Sequence, residues 1–358
     1  MKHKSFHQFT YADRIRLETM CNSGMAVKEI SARLPYSMQT IYREIKRGEY
    51  QHKNSDWTYT TKYSADVADR KAKYNATAKG RAPKLGNDHA FVKCVERLIL
   101  KDGYSPAAAL AYIRRNRLPI RTSVCLRTLY NYIDQGYLLH VSAKHLPYHG
   151  KRKRKQKKER SAKRLSKGTS IEERPKEILS REEFGHWELD TMIGKREKGN
   201  TLLVLTERKT RFEIVCRADD KTATSTVAFL DRLEMIFNRS FSKIFRTITV
   251  DNGCEFQCFD LMERSCIEAG ARTKVFYCHP YASSERGSNE KNNQMLRRKI
   301  PKGIKIESIT DEDISAATTW LNNYPRRLFG WQTAAEMFES ELSKIGVEKN
   351  SNFFRISS

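Results

Sequence analysis

Between Lys151 and Lys167, eleven of seventeen residues are lysine or arginine, beginning KRKRKQKKER. A run of like charge repels itself and cannot pack into a core, so the chain has to build its structure on either side of it. With 358 residues there is material for two or more domains, and 39% hydrophobic content is enough for real cores in both. The run reads as a mobile basic arm joining folded regions. A solvated tether and a nuclear localisation signal would have the same composition, although nothing else in the chain argues for a nucleus.

The whole chain carries the same sign. Its 67 Lys+Arg against 42 Asp+Glu leave a formal charge of +25, a field that favours a polyanion: nucleic acid first, an anionic membrane surface second. On that reading Lys151, Arg152, Lys153 and Arg154 neutralise DNA phosphates, adding sequence-independent, salt-sensitive affinity. No apolar run reaches the ~20 residues of a membrane span, and Met1-Lys2-His3-Lys4 lacks the apolar core of a signal peptide, so a soluble intracellular protein is expected. The eight cysteines do not read as a disulfide framework. Cys254, Cys258, Cys266, Cys278 and His279 crowd one region without the C-x₂-C regularity of structural zinc sites, and buried, reduced thiols are expected.

On the N-terminal side, Thr10 and Asp13 form a capping-box-like start to a helix that runs to about Asn22 before Gly24 stops it. Val27, Ile30 and Leu34 recur at helical spacing, Leu34-Pro35-Tyr36 makes a turn, and Ser37 caps the next helix. There Met38, Ile41 and Ile45 form the inward stripe, leaving Gln39, Thr40, Tyr42, Arg43 and Lys46 outward. Two short helices with a tight turn, the second presenting polar and basic residues, describe a DNA-reading helix-turn-helix. A plain helical bundle with a solvated basic face is the alternative. The stretch from Tyr63 to Lys84 reads as helical or linker-like. A second such motif is expected from Ser105-Pro106, a strong helix start. There Ser123 would cap a helix buried through Leu126, Leu129 or Tyr130, and Ile133, with Arg127, Thr128 and Asn131 exposed. A dimerising or purely structural helical pair would look the same.

Beyond Phe184 the pattern changes to strands and helices. Trp187, Leu189 and Ile193 alternate with polar residues and put Asp190 on the other face of a first strand. TLLVLT (201–206) reads as a central strand, 211–216 as its hairpin partner, and 222–237 as a helix. A strand over 244–250 delivers Asp251 to its C-terminal end. A helix through Leu261 and Ile267, a strand at 274–277 and a helix from about Gly287 to Ile300 complete the set. Three antiparallel strands followed by alternating helices and strands match the ribonuclease-H-like order. The expected architecture is therefore an α/β ribonuclease-H-like catalytic domain, a mixed five-stranded sheet with helices, preceded by an all-α helix-turn-helix region. Its divisions would be a helix-turn-helix domain at 1–53, a helical region at 54–150, the basic linker at 151–178, the core at 179–340 and a tail at 341–358.

Three carboxylates sit where that order converges: Asp190 in GHWELDT, Asp251 in TVDNGCEF and Glu290 in ERGSNEKNN. Several anionic oxygens converging on hard cations are what a two-metal phosphodiester site requires. Each acid also has a structural reading. Asp251-Asn252-Gly253 is a turn signal, Asp190 could end a strand, and Glu290 could be a helix-surface acid with Glu285 as its rival. Asn293, Gln294 and Arg297 share the helical face of Glu290 and suit contacts to phosphate or metal-bound water.

The segments GHWELDT, TVDNGCEF, HPYASSERGSNEKNN, LRRKIPKG and YPRRLFGWQTAAEMF closely resemble the motifs of the insertion-sequence 30 family of transposases. FTYADRIRLETM and VKEISARLPYSMQTIYREIKRG resemble that family's helix-turn-helix, so the likeness spans most of the chain. It implies a bacterial DDE transposase with a retroviral-integrase-like core. Asp190, Asp251 and Glu290 would be its catalytic and metal-binding triad, Glu290 being preferred to Glu285 by the Gly287-x-x-Glu290 spacing. Ser284 and Lys291 depart from the family pattern and bear on local DNA contacts. The resemblance further implies two Mg²⁺ or Mn²⁺ ions, double-stranded DNA as partner (terminal inverted repeats and target), a homo-oligomer in the active complex, and a cytoplasmic, nucleoid-associated protein. A ribonuclease-H-like nuclease that only cuts, and a DNA-binding repressor with an inert catalytic domain, are the alternative readings.

Overall fold

The computed structural model describes residues 8–77, 83–147, 168–195, 199–280 and 283–347. Lys151, Arg152, Lys153 and Arg154 of the basic arm lie outside the described residues. The chain divides into two compact units, Met1–Lys84 and Leu85–Ser358.

The first unit opens with α1 (Tyr11–Asn22), α2 (Val27–Arg33) and α3 (Met38–Gly48). Thr10 and Asp13 make the expected capping box, Gly24 takes a left-handed φ of 73°, and Ser37 accepts from the Thr40 N–H to cap α3. Leu17, Ile30, Leu34 and Ile41 form the core. Met38, expected inside, is 49% exposed. The inner face of α3 carries Glu44 as well as Ile41, and Glu44 is buried because Arg14 meets it at 2.7 Å while also reaching Asp69 at 2.9 Å. Apolar periodicity carries no signal for a buried ion pair. Next comes a hairpin, β1 (Glu49–Lys53) and β2 (Tyr59–Tyr63), and then α4 (Ala65–Thr77), whose Ala68 joins the same core. The unit therefore continues past the boundary drawn after residue 53, because that boundary separates two strands that pair with each other.

In the second unit α5 (His89–Leu100), α6 (Pro106–Arg115) and α7 (Leu126–Asp134) enclose a core of Phe91, Leu98, Ala109, Leu129 and Ile133. Ser105 caps α6 as expected. Ser123 does not cap α7: Val124 is drawn into the core and the helix starts only afterwards, at a Cys125 N-cap with no side-chain bond. Leu126 is 38% exposed, and Tyr132 takes a buried position. Direct hydrogen bonds join this helical region to the C-terminal part of the same unit. The Ser105 N–H donates to the Tyr324 hydroxyl at 2.9 Å, Trp320 Nε1 donates to the Asp102 carbonyl at 2.6 Å, and Arg115 pairs with Glu336.

The sheet consists of β3 (His186–Ile193), β4 (Thr201–Glu207), β5 (Glu213–Ala218), β6 (Thr247–Val250) and β7 (Lys274–Tyr277), in the spatial order β5-β4-β3-β6-β7. The pairs β3–β4 and β4–β5 are antiparallel; β3–β6 and β6–β7 are parallel. Side chains alternate across it. Trp187, Leu189, Leu203 and Leu205 face α8 (Ala223–Phe237), α9 (Phe241–Ile244) and Phe338 of α13 (Ala334–Lys344). Met192, Leu202, Val204 and Val215 face α11 (Gly287–Leu296) and α12 (Asp311–Asn322) on the other side. This is the mixed five-stranded, helix-covered sheet of the ribonuclease-H-like order.

Some element ends differ from expectation. The strand expected over 211–216 is β5, which starts at Glu213 because Arg211 occupies a left-handed turn with φ 61°. Ile244 ends a helix, so β6 begins at Thr247. The helix expected through Ile267 is only α10 (Phe259–Glu263): Arg264 bridges to Ala271 and the Arg272 N–H returns to the Glu263 carbonyl, folding the segment into a tight loop. Buried thiols were expected near residue 260, yet Cys254 and Cys258 are exposed and Cys266 is half-buried; only Cys278 of that group is buried.

Candidate active site

Strands β3 and β6 run parallel, with Glu188 opposite Thr249. The paired register ends there, two residues before Asp190 on β3 and two before Asp251, which follows β6. Asp251 comes directly after the last residue of β6 and its Oδ1 accepts from the Gly253 N–H at 2.8 Å, so the turn chemistry read from Asp-Asn-Gly is present and leaves Oδ2 free to point elsewhere.

Both aspartates converge on one cation. Arg286 Nη1 meets Asp190 Oδ1 at 3.0 Å, and its Nη2 meets Asp251 Oδ2 at 2.8 Å. Nη1 also donates to the Leu189 carbonyl at 3.1 Å. Burial pushes the Asp190 carboxyl above its ordinary value, with the nearby Asp251 charge adding to that, while Arg286 pulls the other way. Burial likewise opposes the Arg286 charge, but the two carboxylates outweigh it and raise its affinity for the proton. Asn293 Nδ2 donates to the other Asp190 oxygen at 2.7 Å, and the Asn293 amide oxygen is buried with no hydrogen-bond partner.

Helix α11 roofs this pair. Arg286, Glu290, Asn293 and Arg297 succeed one another at i, i+4, i+7 and i+11, a single stripe. Arg286 and Asn293 touch Asp190, and Arg297 donates to the Ile193 carbonyl at 2.6 Å, so the stripe lies along β3. Glu290 sits within it, exposed, in the first turn of α11. Gln294, expected on the same face, is exposed as well. The rival Glu285 is otherwise engaged: it accepts from the His279 backbone at 2.9 Å and pairs with His279 Nδ1 at 2.7 Å.

The buried side of α11, next to that stripe, is tied down by polar groups that the apolar pattern did not reveal. Glu188, fully buried, faces Arg208 at 3.1 Å and accepts the Asn289 backbone N–H at 2.9 Å. Asn292 donates to the Arg211 carbonyl at 3.1 Å and accepts from Arg326 at 2.8 Å. Sequence reasoning missed both Arg286 and Glu188. Two signals were there: Glu188 is two residues from Asp190, hence on the same strand face, and Arg286 is one helical turn before Glu290.

The donor set fits a hard divalent ion. Two carboxylates already gather a positive charge between them, and an unpartnered amide oxygen lies beside one of them. Among the described residues, the three-residue group whose ligand atoms lie within 4.8 Å of one another is Asp231, Glu234 and Cys266, not Asp190, Asp251 and Glu290; Arg272 spans that group, meeting the two acids at 2.5 and 3.0 Å as their counter-ion.

In the first unit, Gln39, Thr40, Tyr42, Arg43 and Lys46 all lie exposed or half-exposed on α3. A helix-turn-helix domain family matches residues 5–48. Along nearly its whole length the chain is similar to the transposase for insertion sequence element IS4351 of Bacteroides fragilis, at 31% identity over 94% of this chain and 97% of that relative. It is 29% identical to the probable transposase for insertion-like sequence element IS1161 of Streptococcus salivarius, covering 94% and 95%. With transposase InsI for insertion sequence element IS30A of Escherichia coli (strain K12) it shares 28% identity over 92% and 83%. Among the described residues no helix is long and apolar enough to cross a membrane.

Proposed function

The chain belongs to the insertion-sequence 30 family of transposases and is a DNA transposase, and from that premise we propose a DDE enzyme that binds the terminal inverted repeats of its own element and carries out metal-dependent strand cleavage and strand transfer. The observation that carries this reading is the convergence of Asp190 and Asp251 on one cation beneath the helix that bears Glu290. These three are the proposed catalytic carboxylates and the ligands of two divalent ions, Mg²⁺ or Mn²⁺.

When bound, such ions stabilise the attacking and leaving oxygens of an in-line displacement at phosphorus. The chain's own residues bind and orient. Asn293 holds one Asp190 oxygen, which fixes the rotation of that carboxylate, and Arg286 holds the other. Arg297, on the stripe of Glu290, suits the phosphate of the strand being cut. Hydrolysis at the element end frees a 3′-hydroxyl, and that hydroxyl attacks a target phosphodiester, so no covalent link to the protein is required. The exposed residues of α3 read the repeat, the basic arm adds phosphate contacts, and a homo-oligomer brings two ends together.

The test uses duplexes carrying the element's ends. Asp190→Asn, Asp251→Asn and Glu290→Gln should each abolish both cleavage and strand transfer while DNA binding is retained, and Glu285→Gln should leave substantial activity. Activity lost through Glu285 and kept without Glu290 would reassign the third carboxylate. Cleavage without any joined product would reduce the enzyme to a nuclease.

A further inference from the structure

The hairpin β1–β2 begins at the residue after α3, just beyond the segment that matches a helix-turn-helix. Its five residue pairs run from Glu49↔Tyr63 to Lys53↔Tyr59. Apart from His52 and Tyr63, every strand residue is exposed, so neither face of this ribbon is packed on a core. An isolated two-stranded ribbon is marginal in water. This one is held at both ends.

At its base, Gly48 lies so close to Tyr63 that a Cβ there would sit 2.3 Å from the ring. The Ser64 N–H donates to the Gly48 carbonyl at 3.0 Å, and Tyr63 is buried in the helical core. The ribbon's direction is thereby fixed relative to α3. At its tip, the Asn54 N–H donates to the Thr58 carbonyl at 2.9 Å and the Trp57 N–H to the Asn54 carbonyl at 3.1 Å. Asp56 Oδ1 accepts from the Thr58 hydroxyl at 2.6 Å.

That braced tip displays a tryptophan. Trp57 is 76% exposed and has a φ of 66°, a left-handed backbone that a bulky residue adopts only under constraint. Lys53 Nζ stacks over its ring at 3.5 Å. An indole held out to solvent beside an ammonium presents an apolar wedge and a phosphate partner together. The one acid at the tip, Asp56, is turned onto Thr58.

We propose that this hairpin is a second DNA-contacting element of the N-terminal domain, with Trp57 and Lys53 entering the minor groove next to the major-groove site of α3. Continuity and length support this occupant. A five-residue strand spans about 17 Å, and neighbouring grooves lie half of the ~34 Å helical turn apart. Gln51 and Thr61, bonded to each other at 3.2 Å across the ribbon, add polar groups along the way. The proposal rests on the reading of α3 as a DNA-recognition helix.

The test uses the full chain on a duplex carrying the element's terminal repeat and on a random duplex. Trp57→Asn keeps a residue that tolerates the left-handed backbone but removes the ring; Trp57→Tyr restores a ring; Lys53→Ala removes the cation; Arg43→Ala reports on α3. Trp57→Asn should weaken binding to the repeat about tenfold and shorten the hydroxyl-radical footprint by one minor-groove block, with thermal stability unchanged. Trp57→Tyr should recover most of the loss, and netropsin, a minor-groove ligand, should compete with the parent more than with Trp57→Asn. Unchanged affinity and footprint in Trp57→Asn, with binding weakened by Arg43→Ala, would overturn the hairpin's role and leave the α3 reading intact. Insensitivity to both substitutions would overturn both. A change in oligomeric state with DNA affinity intact would make the ribbon a contact between copies of the chain.

Discussion

The Asn289 backbone N–H donates at 2.9 Å to Glu188, a fully buried carboxylate two residues before Asp190 on the same strand. Asn289 immediately precedes Glu290, so one hydrogen bond ties the turn bearing the proposed third carboxylate to the strand bearing the first. The same carboxylate faces Arg208 at 3.1 Å, both side chains being nearly solvent-free.

Glu188→Ala should therefore cost about 3–5 kcal/mol in chemical denaturation, because it leaves the Arg208 charge buried without its partner. Glu188→Gln keeps an acceptor for the Asn289 N–H. It should retain more cleavage activity than Glu188→Ala at temperatures where both are folded. Equal activity in the two variants would mean that the Asn289 contact does not position Glu290.

Arg286 bears on metal binding. In chelator, Arg286→Gln leaves Asp190 and Asp251 facing each other without a counter-charge, and its melting temperature should fall below the parent's. Added Mn²⁺ should then raise the melting temperature of Arg286→Gln more than that of the parent, since no guanidinium has to be displaced. A smaller metal-induced rise in the variant would show that Arg286 helps to hold the ion instead.

Glu213 supplies a pH signature. Burial pushes its carboxyl up to about 8 despite the Arg326 charge nearby. The unfolded chain releases this proton near pH 4.3, so between those values the folded state binds more protons and stability falls as pH rises, levelling off above about 8. Glu213→Gln removes that dependence. The melting-temperature difference between variant and parent should shift in the variant's favour from pH 5 to pH 8, and a difference that stays constant would exclude an ionising Glu213.

Neutralising Lys151, Arg152, Lys153, Arg154 and Lys155 together should flatten the log-affinity versus log-salt slope by roughly 0.9 for each phosphate that the arm no longer neutralises. Specific and random duplexes should weaken by similar factors, with sequence preference and low-salt chemistry retained. An unchanged slope would make the arm a tether, and a lost preference for the element's ends would make it a reader of sequence or shape.

Local chemistry determined much of this protein in advance. Capping at Thr10, Ser37 and Ser105 is an interaction among neighbours in the chain, and so was legible. The alternation around Asp190 and the apolar run of β4 likewise place strand faces without knowledge of any partner. Asp190, Asp251 and Glu290 could be put forward as the proposed catalytic carboxylates because each sits in its own distinctive local sequence and at a set point in the order of strands and helices.

Only the tertiary structure decided what meets those groups. Arg286 reaches Asp190 from 96 residues away, and Glu188 finds Asn289 across 101 residues. Pairings of this kind are set by strand order and by the seating of α11, which no local pattern encodes. Buried charges also defeated the apolar pattern. Glu44 takes a core position because Arg14 neutralises it, while Met38, the better hydrophobe, stays in solvent. Burial depends on which group lies opposite, and that is a property of the folded chain.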